Sequence, residues 1–280
     1  MKGIIIPILG ALGSFGVAMV LTRLITWKRR KQERLTRRRR FVTFFIVLFA
    51  CYTIGGLVYF SIYTHAGDRA MSFMETRDTV IVTEIDEGYF FDGVGSRDAL
   101  IFYPGAKVDE KAYAELMWKL AEAGVDCFLV KMPFHMAFFG KNKATDIMEK
   151  YDYPCWYISG HSLGGAMAAA YLSENSDKLT GAVFLATHSP ATMPADKPVV
   201  SIVGSEDKVI NWDDYAQFKS TWPASVKEVM IEGGNHSQFG DYGEQRGDGE
   251  ATISAEEQIR QTLVAAIDLI KPDKDYGVTD

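Results

Sequence analysis

The chain has 280 residues, 48% of them hydrophobic and 24% charged, with a formal net charge of −6. That length gives room for one good-sized domain and something extra. Its three cysteines, Cys51, Cys127 and Cys155, sit in or near apolar segments and speak against a disulfide framework. The net charge conceals a division. Residues 28–40 hold nine Lys/Arg and one Glu, a net of +8, whereas from residue 64 onward 19 Lys/Arg stand against 35 Asp/Glu, a net of −16. Such asymmetry means that two parts of one chain face different surroundings.

Residues 4–22 form an uncharged stretch, and residues 41–63 form a second, also without charge. A helix crossing the hydrocarbon core needs roughly 20 residues at about 1.5 Å each, so both are long enough. Arg23 can extend its stem to the head groups. The first stretch lacks a small-residue cleavage site before the basic block, which argues against a signal peptide. Leu48-Phe49-Ala50-Cys51 only loosely matches a lipoprotein box, because the apolar run continues past Cys51. Short loops rich in Lys/Arg stay on the cytoplasmic side. A nucleic-acid role for the basic block is disfavoured by its place between two spans. The expectation is a two-helix transmembrane hairpin over residues 1–64, with its basic loop (28–40) cytoplasmic and the acidic remainder extracytoplasmic. No nucleic-acid partner is expected.

Residues 65–78 read as a polar connector, and a domain is expected over 79–280. Residues 79–85 and 88–91 suit a short antiparallel strand pair. Six apolar segments follow, at 99–103, 127–132, 155–159, 181–186, 199–203 and 228–232, with helical patterns in several gaps. Tyr113, Leu116, Met117, Leu120 and Ala121 share one helix face, and Gly124 ends that helix. A last helix opens on the capping-box pattern Ser254-Ala255-Glu256-Glu257 and stops before Pro272. Alternating strands and helices predict an α/β fold: a mostly parallel sheet with helices on both faces.

The fifth apolar segment of this domain, 155–159, runs into Gly160-His161-Ser162-Leu163-Gly164-Gly165 and then a helical pattern. G-x-S-x-G alone is a weak signal, but between a strand and a helix it describes a nucleophile elbow: a sharp turn that presents a serine hydroxyl. The phosphate-loop alternative lacks the required lysine and spacing, and no cofactor or metal is expected. A serine needs a base to take its proton. Asp207 follows the 199–203 strand and His236 the 228–232 strand, so Ser162, Asp207 and His236 are the candidate triad, in the order this architecture uses. Glu206 is the nearest rival to Asp207, with Asp213 and Asp214 further off. His161 is taken up by the elbow, His65 precedes the domain, and His135 and His188 have no acid placed to match; each reads as a surface or rim histidine. For an oxyanion hole, the backbone N–H groups of Leu163 and of the 103–107 loop are the candidates, with Ala106 favoured and Gly105 and Lys107 as adjacent registers.

The segments FYPGAKVD (102–109), GHSLGG (160–165), GSEDKV (204–209) and GGNHSQFGDYG (233–243) together resemble the short, lidless α/β-hydrolases related to dienelactone hydrolase, over about residues 79–271. Dienelactone hydrolases themselves use a cysteine nucleophile where this chain has Ser162, so their particular substrate is not implied. The 187–198 gap is too short for a helical lid. The rim is then formed by residues 134–140, 187–193 and 238–250, and an open site suits small or medium acyl esters. The expected activity is ester hydrolysis through an acyl-enzyme. Acyl transfer, or an inactive scaffold that binds a partner, are the alternatives.

Overall fold

A computed structural model describes residues 16–27, 37–77, 79–95 and 97–272. The chain divides into two compact units, Met1–Ile62 and Tyr63–Asp280. In the first unit, α1 spans Gly16–Trp27 and α2 spans Arg37–Ser61. Residues 4–15 of the first apolar stretch and 28–36 of the basic loop lie outside the described residues. Helix α2 is the one helix among the described residues long and apolar enough to cross a membrane. It has no buried residue, and large side chains such as Phe45, Phe49, Ile54 and Leu57 are exposed around it. Twenty-five residues extend about 37 Å at 1.5 Å each.

The second unit is built on one eight-stranded sheet in the order β1-β2-β4-β3-β5-β6-β7-β8. Strands β1 (Ile81–Ile85) and β2 (Gly88–Asp92) pair antiparallel, and β2 pairs antiparallel with β4 (Val125–Val130). From β4 onward all pairings are parallel, through β3 (Asp98–Tyr103), β5 (Cys155–His161), β6 (Gly181–Leu185), β7 (Val199–Gly204) and β8 (Val226–Ile231). Strands buried on both faces are apolar at nearly every position, which is why they read as continuous runs rather than alternations.

Period-two geometry sends alternate residues to opposite layers. Leu100 and Phe102 of β3 join one core with residues of α4 (Ala114–Glu122) and α8 (Ala255–Ile270). Ala99, Ile101 and Tyr103 join the other, with α5 (Lys143–Lys150) and α6 (Leu163–Glu174). A further helix, α7 (Trp212–Lys219), contributes Tyr215 to a small third cluster. The Ser254 hydroxyl accepts from Glu257 N–H at 3.2 Å at the start of α8. All three cysteines are free.

Several strand ends shift by one or two residues from the pattern in the sequence, and two departures have a clear physical cause. Strand β4 begins two residues earlier than the apolar run, at Val125-Asp126. The Asp126 carboxylate is satisfied by Gly93 N–H at 2.9 Å and the Tyr153 hydroxyl at 2.6 Å, so a charged residue is tolerated in a buried strand. The polar segment after residue 64 is also folded. It contains the short helix α3 (Asp68–Ser72), and Gly67 N–H and Ala70 N–H donate to the backbone carbonyl and side chain of Asp241. Arg69 reaches Glu115 and Glu256. A five-residue helix is too short to show periodicity, so nothing in the pattern revealed it.

Candidate active site

Strand β5 and helix α6 meet at Ser162, whose backbone sits at φ 53°, ψ −123°. A non-glycine residue in that region carries strain of order 1–3 kcal/mol and persists only where the surroundings impose it. Here they do. A Cβ on Gly160 would lie 2.6 Å from the Gly164 carbonyl carbon, and one on Gly164 would lie 2.1 Å from Tyr103 O and 2.3 Å from Pro104 O. The strand, the helix start and the loop after β3 therefore touch backbone to backbone. Ser162 N–H donates to Leu185 O at 2.9 Å, and the Thr187 hydroxyl donates to Ser162 O at 2.7 Å. Ser162 itself is half-buried.

Asp207 and His236 come together from the loops after β7 and β8. His236 Nδ1 donates to Asp207 Oδ2 at 2.7 Å, and both residues are 1% exposed. The other carboxylate oxygen accepts from Val209 N–H and Ile210 N–H, each at 2.8 Å. These donors hold the carboxylate as an acceptor and so fix the imidazole tautomer, leaving a lone pair on Nε2. That Nε2 is buried without a hydrogen-bond partner among the described residues. The Ser162 hydroxyl likewise has no partner there. In structures without substrate such a hydrogen bond is often open and tightens on binding. The His236 ring centroid lies 4.6 Å from that of His161, the residue before Ser162, which puts His236 against the elbow.

The oxyanion candidates can be sorted by which donors are already spent. Gly105 N–H donates to the Tyr113 hydroxyl at 3.1 Å, and Lys107 N–H donates to His135 O at 2.7 Å. The N–H of Ala106, which is exposed, makes no hydrogen bond among the described residues. Leu163 is the first residue of α6, where the N–H has no carbonyl one turn back to receive it.

Two polar side chains that the sequence reading passed over shape the histidine loop. Gln258 on α8 is fully buried, accepts from Asn235 N–H at 2.9 Å and donates to Asn235 O at 2.8 Å. Asp248 accepts from His236 N–H at 3.3 Å and from Ser237 N–H at 2.8 Å. A Gln one position before Ile259, on the inward face of the last helix, was the available signal. Glu206 is half-exposed and away from the His236 ring bond that Asp207 makes.

His161 departs from the reading as a surface or rim residue, and His135 and His188, which stay partly exposed, each have an acid nearby. His161 is 1% exposed, between Tyr113, Phe239 and His236. His135 Nδ1 lies 3.5 Å from Glu110 Oε2, with its ring stacked on Tyr63 at 3.8 Å. His188 Nε2 lies 3.9 Å from Asp214 Oδ2. Their partners are brought in by the fold from other elements, so sequence adjacency could not reveal them. The rim includes exposed Phe134, Phe138 and Phe139. No group of three or more His, Cys, Asp or Glu suited to a metal occurs among the described residues.

The matching family model is that of the alpha/beta hydrolase family, over residues 99–260. More than half of the chain is covered, and the chain belongs to this family. Similar solved structures include dienelactone hydrolase from Anabaena variabilis, at 13% identity and TM-score 0.52, covering 69% of this chain and 100% of that one. A predicted CIB-like hydrolase from Thermoplasma acidophilum matches at 13% identity and TM-score 0.52, covering 68% and 100%. Est1E from Butyrivibrio proteoclasticus matches at 15% identity and TM-score 0.51, covering 69% and 99%. No curated protein matches the chain.

Burial, followed by the neighbouring His236, holds the His161 imidazole well below its ordinary pKa. The unfolded chain then binds a proton, near pH 6.5 and below, that the folded chain refuses. The stability this residue contributes is present above that pH and lost as the pH falls. Denaturant titrations between pH 7.5 and 5 should show a loss reaching about 1.4 kcal/mol per pH unit from this residue, and His161→Asn should remove that part of the slope.

Proposed function

We propose that the chain is a membrane-anchored serine hydrolase that cleaves carboxylic esters, with Ser162, His236 and Asp207 as nucleophile, base and orienting acid. The observation that carries this reading is the buried Asp207–His236 pair at 2.7 Å, whose ring, with Nε2 unengaged, packs 4.6 Å from that of His161, the residue before the strained Ser162. As the ester carbonyl meets Ser162 Oγ, its proton passes to His236 Nε2 and the imidazolium is stabilised by Asp207. Negative charge develops on the carbonyl oxygen and is met by the N–H groups of Ala106 and Leu163. Collapse expels the alcohol, which takes the proton from Nε2. The acyl group stays on Ser162 until His236 deprotonates a water that attacks it, releasing the carboxylic acid and restoring the serine. The absence of a lid helix between β6 and β7 favours small or medium acyl esters.

Anchoring is supported by α2, which is apolar all round and would have to bury that surface in lipid. A second span over residues 4–22 would include the first residues of α1. The side on which the hydrolase unit lies does not depend on that first span. Four arginines open α2 and five more Lys/Arg precede them, so the start of α2 stays cytoplasmic and its end emerges on the other side. The hydrolase unit, with its acidic excess, is then extracytoplasmic.

A fluorophosphonate probe should label the full-length wild-type protein and leave Ser162→Ala unlabelled; well-folded wild-type protein that resists labelling would refute the hydrolase reading. For topology, single cysteines placed in the 28–40 loop, in a background lacking the native three, should be shielded from an impermeant thiol reagent in intact cells and react after permeabilisation. Labelling in intact cells would reverse the orientation.

A further inference from the structure

Tyr113 closes the single turn Glu110–Tyr113 and is fully buried beneath the elbow. Its hydroxyl stands between two parts of the site. Gly105 N–H donates to it at 3.1 Å, and it lies 2.8 Å from His161 Nδ1. A phenol has one hydrogen, and no other acceptor takes it among the described residues, so the O–H donates to Nδ1. His161 is then the neutral tautomer with its hydrogen on Nε2. One polar chain thus runs from Gly105, next to Ala106, to His161, next to Ser162 and packed on the His236 ring. The contact is tight: a Cβ on Gly105 would lie 2.9 Å from the Tyr113 hydroxyl and 3.0 Å from His161 Nδ1. With Lys107 N–H held by His135 O, both neighbours of Ala106 have fixed donors.

We propose that Tyr113 and His161 are positioning residues for the oxyanion hole. The Tyr113 hydroxyl, oriented by His161, sets the height of Gly105 and through it the aim of the Ala106 N–H at the carbonyl oxygen of the substrate. This rests on the reading of Ser162 as nucleophile and of Ala106 as an oxyanion donor. A group that acts only on the developing oxyanion lowers kcat and kcat/KM together and leaves KM alone. Removing such a donor outright costs about 10²–10³ in kcat, so misdirecting one should cost less, roughly 10- to 100-fold.

The test uses full-length protein in detergent, with 4-nitrophenyl acetate and its thiono analogue, whose sulfur accepts hydrogen bonds poorly. Tyr113→Phe keeps the ring and removes only the hydroxyl. It should lower kcat on the oxygen ester roughly 10- to 100-fold at nearly constant KM and narrow the rate ratio between the two esters. His161→Asn, which offers an amide oxygen near the place of Nδ1, should retain more of kcat than His161→Leu. A Tyr113→Phe protein with wild-type kcat and an unchanged ester ratio would overturn the positioning role, as would losses that follow only the folded fraction measured by circular dichroism. Wild-type protein that neither turns over the ester nor takes a fluorophosphonate on Ser162 would overturn the nucleophile reading itself, and the positioning role with it. Wild-type turnover beside an indifferent Tyr113→Phe would overturn the positioning role alone.

Discussion

The close approach of β5, α6 and the loop after β3 is the constraint on which the site depends. Gly160 and Gly164 let three backbones pass at distances that a methyl group would forbid, with carbonyl oxygens 2.1–2.7 Å from where a Cβ would stand. That compression holds Ser162 at φ 53°. It also brings the first N–H groups of α6 alongside the loop that carries Ala106. Ser162, the start of α6 and the loop after β3 are thus arranged by one packing contact, and parallel strands on either side of β5 fix its height.

The Asp207–His236 pair is held by a different set of contacts, from loops at the far strands of the sheet. Asp207 is fixed by two backbone donors of its own loop, and His236 by a chain behind it: Gln258 on Asn235, and Asp248 on His236 and Ser237. Gln258 satisfies both backbone groups of buried Asn235, and leaving either unpaired costs about 1–3 kcal/mol. The buried Gln258 of α8 therefore serves the histidine loop, while buried Thr262 turns its hydroxyl back to Gln258 O at 2.8 Å.

Much of this was legible in the chain. Strands buried on both faces announce themselves as apolar runs, and the antiparallel pair, the six later strands and the capped last helix were readable from hydrophobic pattern and turn residues. The elbow was legible because its glycines are sterically required, and the meeting of Asp207 with His236 because each follows the end of one of two neighbouring strands. What escaped were relations between distant elements. His161 looked like a surface residue because nothing local says that Tyr113 and Phe239 will enclose it. Helix α3 is too short for a period to appear, and the Asp241 that holds it lies in another loop. Asp126 was left outside the β4 run because the partners that satisfy its carboxylate, Gly93 and Tyr153, come from distant parts of the sequence.

The central claim is that an acyl group passes through Ser162. The most direct measurement mixes full-length protein with 4-nitrophenyl acetate, quenches in acid within the first turnover, and maps the peptides by mass spectrometry. Acetylation confined to Ser162 and absent from His236→Ala is the predicted result. Acetyl groups found only on lysines, or equal labelling of Ser162 with and without the histidine, would contradict it.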